Sequence, residues 1–433
     1  MARLTRAQQQ ERTRAAVLAA ARAEFAERGY TDAKIDRIAE RAELTRGAVY
    51  SNFPSKRALY LAVLLDTPAG ASGSTHAGAH VGTTDGALST TGDTYGGGIG
   101  GSHGGGIDVL SPAGLGEALG AFARVWLERL PLVGDTPAGG KLQARSLAGV
   151  FDDEPGRSTL AQIGRLEALL LALALEPRLP HHPRRVRTAE LVLTLLHGAG
   201  HLAETAPGFG DPFDVASACA HLAGLDLADT WDPPYLAFVP AAPRLQEDWT
   251  PPAGLPDLIS GRPAVFDADG VIAVLGTSRL EAAEEAVRAA GPGEQVTLVV
   301  VTDDPAEIGR LVRLRAGDLM GCLRRVFGPD VWPSLSLVLD DGTIAAATGV
   351  GGNGDATEAA VRVQAGTITA RATGRGAAHA VATAARPAVA GQPTTDQPAN
   401  TGQFTADRPA TDRPATTDQP TGRPAADRRG GGR

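Results

Sequence analysis

Ile35 to Tyr60 reads IDRIAERAELTRGAVYSNFPSKRALY. Ile35, Ile38, Ala39 and Ala42 recur at three- and four-residue spacing, one apolar face of a short helix. Leu44 follows in a polar turn, and Thr45 stands where an N-cap belongs. A second short helix, 46–53, has Val49 and Phe53 one turn apart and facing inward. That leaves Arg46, Gly47, Ala48, Tyr50, Ser51 and Asn52 outward. Phe53-Pro54-Ser55-Lys56 then leads into a third helix.

The outward residues are suited to nucleic acid. Thr45 and Ser51 bond phosphates or base edges, and Arg46 reaches phosphate or guanine. Gly47 and Ala48 are small enough for close groove approach, and Tyr50 stacks on sugar. Lys56 lies at a helix N-terminus, where free N–H groups favour an anion. Upstream, 12–28 reads as a helix with Val17, Leu18, Ala21 and Phe25 on one stripe, ended by Gly29 with Tyr30 packing back.

From about Arg12 to Leu65 the segment resembles the TetR family of transcriptional regulators. Phe25, Gly29-Tyr30, Ile38-Ala39, Ala42, Gly47, Tyr50, Phe53-Pro54 and Ser55-Lys56 fall at that family's spacing. The resemblance implies a three-helix DNA-binding head whose third helix enters the major groove. It also implies homodimers on a palindromic operator, and a helical domain behind that binds a small-molecule effector. Two positions depart from the pattern. Ala33-Lys34 replaces the usual Thr or Ser, so Asp32 is the expected cap and Lys34 an added phosphate contact. Glu43 stands where the turn usually has Gly.

Composition bounds the remainder. The 433 residues suggest two or three domains, and only 4% are aromatic while Gly (54) and Pro (30) are abundant. Net charge is −8, yet residues 1–65 carry twelve Lys and Arg against seven Asp and Glu. A head of +5 on a body of −13 is the asymmetry expected when only the head touches phosphate. Cys219 and Cys322 form no motif, which fits a reducing cytoplasm and no structural zinc; the DNA-binding resemblance implies a cytoplasmic, nucleoid-associated location. No unbroken apolar run reaches the ~18 residues of a membrane span, so no membrane partner is expected.

The fold expected is mainly α, with a small α/β unit. The head is 1–66, and 67–110 is a Gly/Ser/Thr-rich flexible insertion. Residues 111–228 form the helical effector and dimerisation domain, with its last helices near 187–204 and 214–225 building the dimer interface. Phe122, Trp126, Phe151 and Leu169 are candidates for an effector pocket or simply for core. His197 and His201, with Glu204 beyond, have metal-ligand spacing but no third-ligand pattern, so interface histidines are expected and no metal or cofactor.

Residues 229–257 read as a Pro-rich linker and 376–433 as a disordered Pro/Thr/Asp-rich tail. Between them, in 258–375, β-branched runs at 264–266, 271–275, 296–301 and 335–339 alternate with helical stretches at 279–290 and 305–325. VWPSLSLVLDDGTIAAATGV (331–350) reads as strand, tight turn and strand, and resembles the second half of a thioredoxin-like domain with Pro333 as its cis-proline. The Cys-x-x-Cys expected near 276–279 is absent, so this unit is read as non-catalytic. The rivals to a regulator are a thioredoxin-like oxidoreductase and an interaction scaffold that no longer binds DNA.

Overall fold

Thr5 opens the first helix with a capping box: its hydroxyl accepts from Gln8 N while its own N–H donates to the Gln8 side chain at 2.9 Å. Helix α1 therefore runs from Arg6 to Asp32, starting earlier than its apolar stripe suggests. The computed structural model describes residues 5–66, 114–130, 137–178 and 184–384, apart from 228, 230, 232, 292, 329–331 and 333. The proposed insertion 67–110, the tail beyond 384 and Pro333 lie outside the described residues.

Gly29 interrupts α1 with φ 70° and ψ 179°, a conformation open to Gly. The break turns Tyr30 back onto Phe25 (6.4 Å between centroids), and Tyr60 completes a three-ring cluster at 4.9 and 5.1 Å. Helices α2 (Ile35–Arg41), α3 (Arg46–Asn52) and α4 (Lys56–Asp66) complete the head. Asp32 does not cap α2, because it is still the last residue of α1. The fully buried Glu24 carboxylate instead accepts the Lys34 N–H at 3.3 Å, with Arg28, Arg37 and Arg41 around it. Thr45 caps α3 as expected, accepting from Ala48 N at 3.2 Å.

Behind the head stand α5 (Leu115–Leu127), α6 (Pro137–Gln143), α7 (Glu154–Leu175), α8 (Val186–Thr205) and α9 (Pro212–His221). Small residues let α5 and α9 approach closely: a Cβ on Gly120 would lie 3.3 Å from Ala220 Cβ. By length and composition α7 could cross a membrane; a little over half of its apolar window is buried inside the protein. It also buries Gln162 and Glu167, which the protein pairs with groups on other elements.

The α/β part is a six-stranded mixed sheet of order β1-β6-β5-β2-β3-β4. Its elements are β1 (Arg244–Asp248), β2 (Gly270–Gly276), α10 (Ala282–Ala289), β3 (Gln295–Val301), α11 (Ile308–Phe327), β4 (Leu335–Leu339), α12 (Thr343–Ala347), β5 (Glu358–Gln364), β6 (Thr367–Thr373) and α13 (Ala377–Ala384). Strands β2, β3 and β4 are parallel, and β5, β6 and β1 add antiparallel pairs. One sheet face, with Val271, Ala273 and Leu275, shares a continuous apolar core with the helical body and the head. The other face, with Ile272 and Val274, packs on Trp249, Phe266 and Ile344.

Four expectations are corrected here. The DDG turn leads into a helix, because the Asp340 carboxylate accepts from Ile344 N (3.0 Å) and Ala345 N (2.9 Å) and so caps α12. The hairpin is instead β5–β6, turned by Ala365 and Gly366 at φ 48° and 72°. Residues 264–266 form no strand, and Phe266 gives its carbonyl to Trp249 Nε1 at 2.7 Å. The supposed linker contains edge strand β1, and the supposed tail begins with α13, whose Ala377, Ala378, Ala380 and Val381 are buried.

Candidate nucleic-acid interface

On α3, Arg46, Gly47, Tyr50 and Ser51 share an exposed face, while Val49 and Phe53 are buried as the spacing predicts. Arg46 lies 3.4 Å from Asp36 Oδ1 and over the Tyr50 ring at 5.5 Å. A Cβ on Gly47 would meet only Thr45 Oγ1, at 3.9 Å. No neighbour among the described residues therefore requires a glycine at 47. Lys34 and Thr45 are exposed beside this face.

Other expected contacts are partly turned inward. Ala48 and Asn52 are half-buried, and Asn52 Nδ2 and Ser51 Oγ both donate to Ala48 O at 2.8 and 2.9 Å. Lys56 is half-buried too. Its ammonium donates to Thr31 O at 3.0 Å and lies 4.7 Å from the Tyr30 centroid, and desolvation lowers its pKa. Glu43 does occupy the left-handed conformation that glycine favours, with φ 55°.

Sequence reasoning missed how the head is held. Ser55 caps α4, accepting from Ala58 N at 2.9 Å, and donates to Glu307, which immediately precedes α11. Arg57 donates to Glu307 at 3.2 Å and to Asp153, with its guanidinium 4.7 Å over Phe151. Arg310 donates to Ala58 O at 3.1 Å. At the other end of α4, Tyr60 OH donates to Ser146 O at 2.8 Å and Arg145 bridges Leu64 O to Asp318. Arg145 itself has φ 55°.

Arg145 and Ser146 also form one wall of a cavity of about 460 Å³ among α5, α7, α8 and α11. Of the four residues proposed as lining, only Trp126 reaches it. Phe122 and Phe151 are core, and Leu169 lines a separate cavity of about 300 Å³. Arg129 lies 4.0 Å over Trp126 and pairs with Asp318 at 3.5 Å. Arg315 pairs with Glu167 (2.6 Å) and meets His197 Nε2 at 2.7 Å. Because a guanidinium only donates, Nε2 accepts, and the His197 proton sits on Nδ1. Desolvation first, then Arg315 and Arg129, push its pKa down to about 3, although the residue as a whole is exposed at the cavity mouth.

His201 and Glu204 do not join His197: Glu204 accepts from Ser146 Oγ at 2.8 Å, and His201 is exposed. Among the described residues no group of three His, Cys, Asp or Glu is placed to hold a metal. Both thiols are buried and their pKa values raised by desolvation, that of Cys219 to about 11. After β2 stand Thr277 and Ser278, tied to Asp355.

Residues 17–63 match the family described as bacterial regulatory proteins, tetR family. The crystal structure of a TetR transcriptional regulator from Rhodococcus sp. RHA1 aligns with 51% of this chain and 99% of its own, at 17% identity. Its TM-score of 0.27 is too low to bear on the fold. No curated protein matches. With an exposed α3 face, a capped turn and a family match over the same residues, the head formed by α1 to α4 is a TetR-family DNA-binding helix-turn-helix domain.

Proposed function

We propose that the protein is a homodimeric transcriptional repressor that reads a palindromic operator with α3 and is released by a small molecule. The carrying observation is the open α3 face, above all Gly47, whose lack of a side chain no neighbour among the described residues demands. Thr45, Arg46, Tyr50 and Ser51 contact bases and phosphates there; Ala48 and Asn52 border it, and Lys34 and Lys56 hold the backbone. Lys56 leaves Thr31 to do so, and Arg46 leaves Asp36.

Exposed Leu191 and Leu202 on α8, Phe213 on α9 and Phe209 between them favour a dimer through these helices. The cavity is the effector site, because its Arg145–Ser146 wall is bonded to α4. A ligand that binds better when this wall has moved disfavours the DNA-bound arrangement by that difference in affinity. The α/β unit is a thioredoxin-like module without redox chemistry, supported by its parallel β2–β3 pair and antiparallel β5–β6 hairpin.

Selection of DNA from a random pool by the full-length protein tests this reading. A palindrome bound as a salt-sensitive, sequence-specific complex is expected, since each phosphate contact releases counterions. Absence of any specific site sinks it and leaves the scaffold reading. Insulin reduction that disappears in Cys322→Ser would instead revive the oxidoreductase.

A further inference from the structure

Three guanidinium groups line the cavity. Arg129, Arg145 and Arg315 face it with the carboxylates of Asp318 and Glu204, and Arg315 also pairs with Glu167 at 2.6 Å. Arg129 and Arg145 share the single Asp318 carboxylate. Glu204 is engaged by Ser146. Arg315 Nε is buried without a hydrogen-bond partner among the described residues. A buried donor left unmade is costly, and an acceptor arriving from outside relieves it. Trp126, Leu130, Leu147, Leu160 and Leu196 give the wall an apolar stretch, and His197 and His201 border it. Beside it, a Cβ on Gly164 would meet no atom within 4 Å.

Two of the polar wall residues, Arg315 and Asp318, come from α11. The site is therefore incomplete without the α/β unit. Its wall helix begins one residue after Glu307, which holds Ser55 and Arg57 of the head. We infer that the cavity binds an amphipathic organic anion, its carboxylate held by Arg315, Arg129 and Arg145 in competition with Asp318, and its apolar body against Trp126 and the leucines.

This assignment rests on the cavity being the effector site, but it concerns ligand chemistry and is tested without DNA. The probes are 4-phenylbutyrate, its neutral amide and the corresponding amine, titrated calorimetrically into the full chain. The carboxylate binds, and the amide and amine bind at least about tenfold more weakly, the loss expected when a charge-assisted hydrogen bond is removed. Arg129→Gln reduces the carboxylate's affinity and its advantage over the amide. Gly164→Leu fills the cavity and abolishes binding while keeping the thermal transition of the parent, which separates lost binding from lost folding. Equal or tighter binding of the amine or the amide overturns the assignment. So does no carboxylate binding at millimolar concentration, or binding indifferent to Arg129→Gln and Gly164→Leu. A carboxylate that binds yet leaves a selected operator complex intact refutes ligand release and leaves the ligand class standing.

Discussion

Replacing Glu307 by Gln tests whether the α/β unit truly holds the DNA-binding head. Glu307 accepts from Ser55 Oγ and, at 3.2 Å, from Arg57. Both side chains of the ion pair are largely shielded, with 25% and 18% of their surface exposed. A hydrogen bond to a charged group contributes about 1.5–3 kcal/mol when one partner is lost. Two features place this case below that range: Gln keeps one acceptor, and Arg57 retains Asp153. The expected cost is about 1 kcal/mol, felt locally at the first turn of α4. A local opening made easier by that amount speeds amide exchange there about fivefold. Hydrogen exchange by mass spectrometry reads it, with peptides from the 295–301 strand as an internal control. A double-mutant cycle with Arg57→Gln then isolates the pair, with coupling of roughly 1 kcal/mol expected. Unchanged exchange in α4 together with coupling below about 0.3 kcal/mol would refute the argument that Glu307 fastens the head.

Phe213→Asp removes an exposed ring, 77% accessible in one chain, from the surface assigned to dimerisation. At about 25 cal/mol per Å² a buried ring contributes a few kcal/mol, and each symmetric dimer loses two, so the dimer Kd rises at least about 100-fold. Analytical ultracentrifugation that finds no change sends the interface elsewhere. Glu43→Gly relieves a left-handed φ of 55° and deletes an acidic side chain from the turn. Stability changes little, since about 1 kcal/mol of strain is offset by glycine's entropy cost, and operator affinity rises several-fold in a gel shift; weaker binding contradicts the docking face. His197 is held neutral in the fold, its pKa down to about 3 from an ordinary 6.5. The unfolded chain therefore binds the extra proton between those values. The stability contribution is complete above pH 6.5 and is lost as pH falls toward 3. In His197→Asn this part of the acid slope in the thermal midpoint disappears, and an unaltered slope assigns it to other groups.

What could be read in advance follows from how local each signal is. Val49 and Phe53 lie one turn apart, and Thr45 caps α3 from adjacent residues, so the head was legible. Glu24 was not, because nothing in a helical stripe announces a buried carboxylate that will accept the N–H of residue 34. The DDG segment misled because Asp340 serves a turn and a helix N-terminus equally well, and only its two bonds to Ile344 and Ala345 decide between them. Hairpin β5–β6 did carry a signal, alternation on both sides of Ala365-Gly366. Alanine in place of Asn or Asp hid the turn. The cavity was invisible in principle, since Trp126, Arg145, His197 and Arg315 meet only through long-range packing.

That packing answers a mechanical question raised by the sequence. Among the described residues α4 (to Asp66) and α5 (from Leu115) are separate helices, and no helix is shared by body and head. Tyr60 and Leu64 of α4 are instead tied to Ser146 and Arg145, and Ser55, Arg57 and Ala58 to Glu307 and Arg310. The two sets flank one helix that begins four residues after α3. Since α11 carries Arg310 at one end and Asp318 two turns later at the cavity, the two sets are not independent. The appended α/β unit thus supplies contacts to α4 through Arg310 of α11 and Glu307 at its N-terminal edge, and a cavity wall through Arg315 and Asp318 of the same helix.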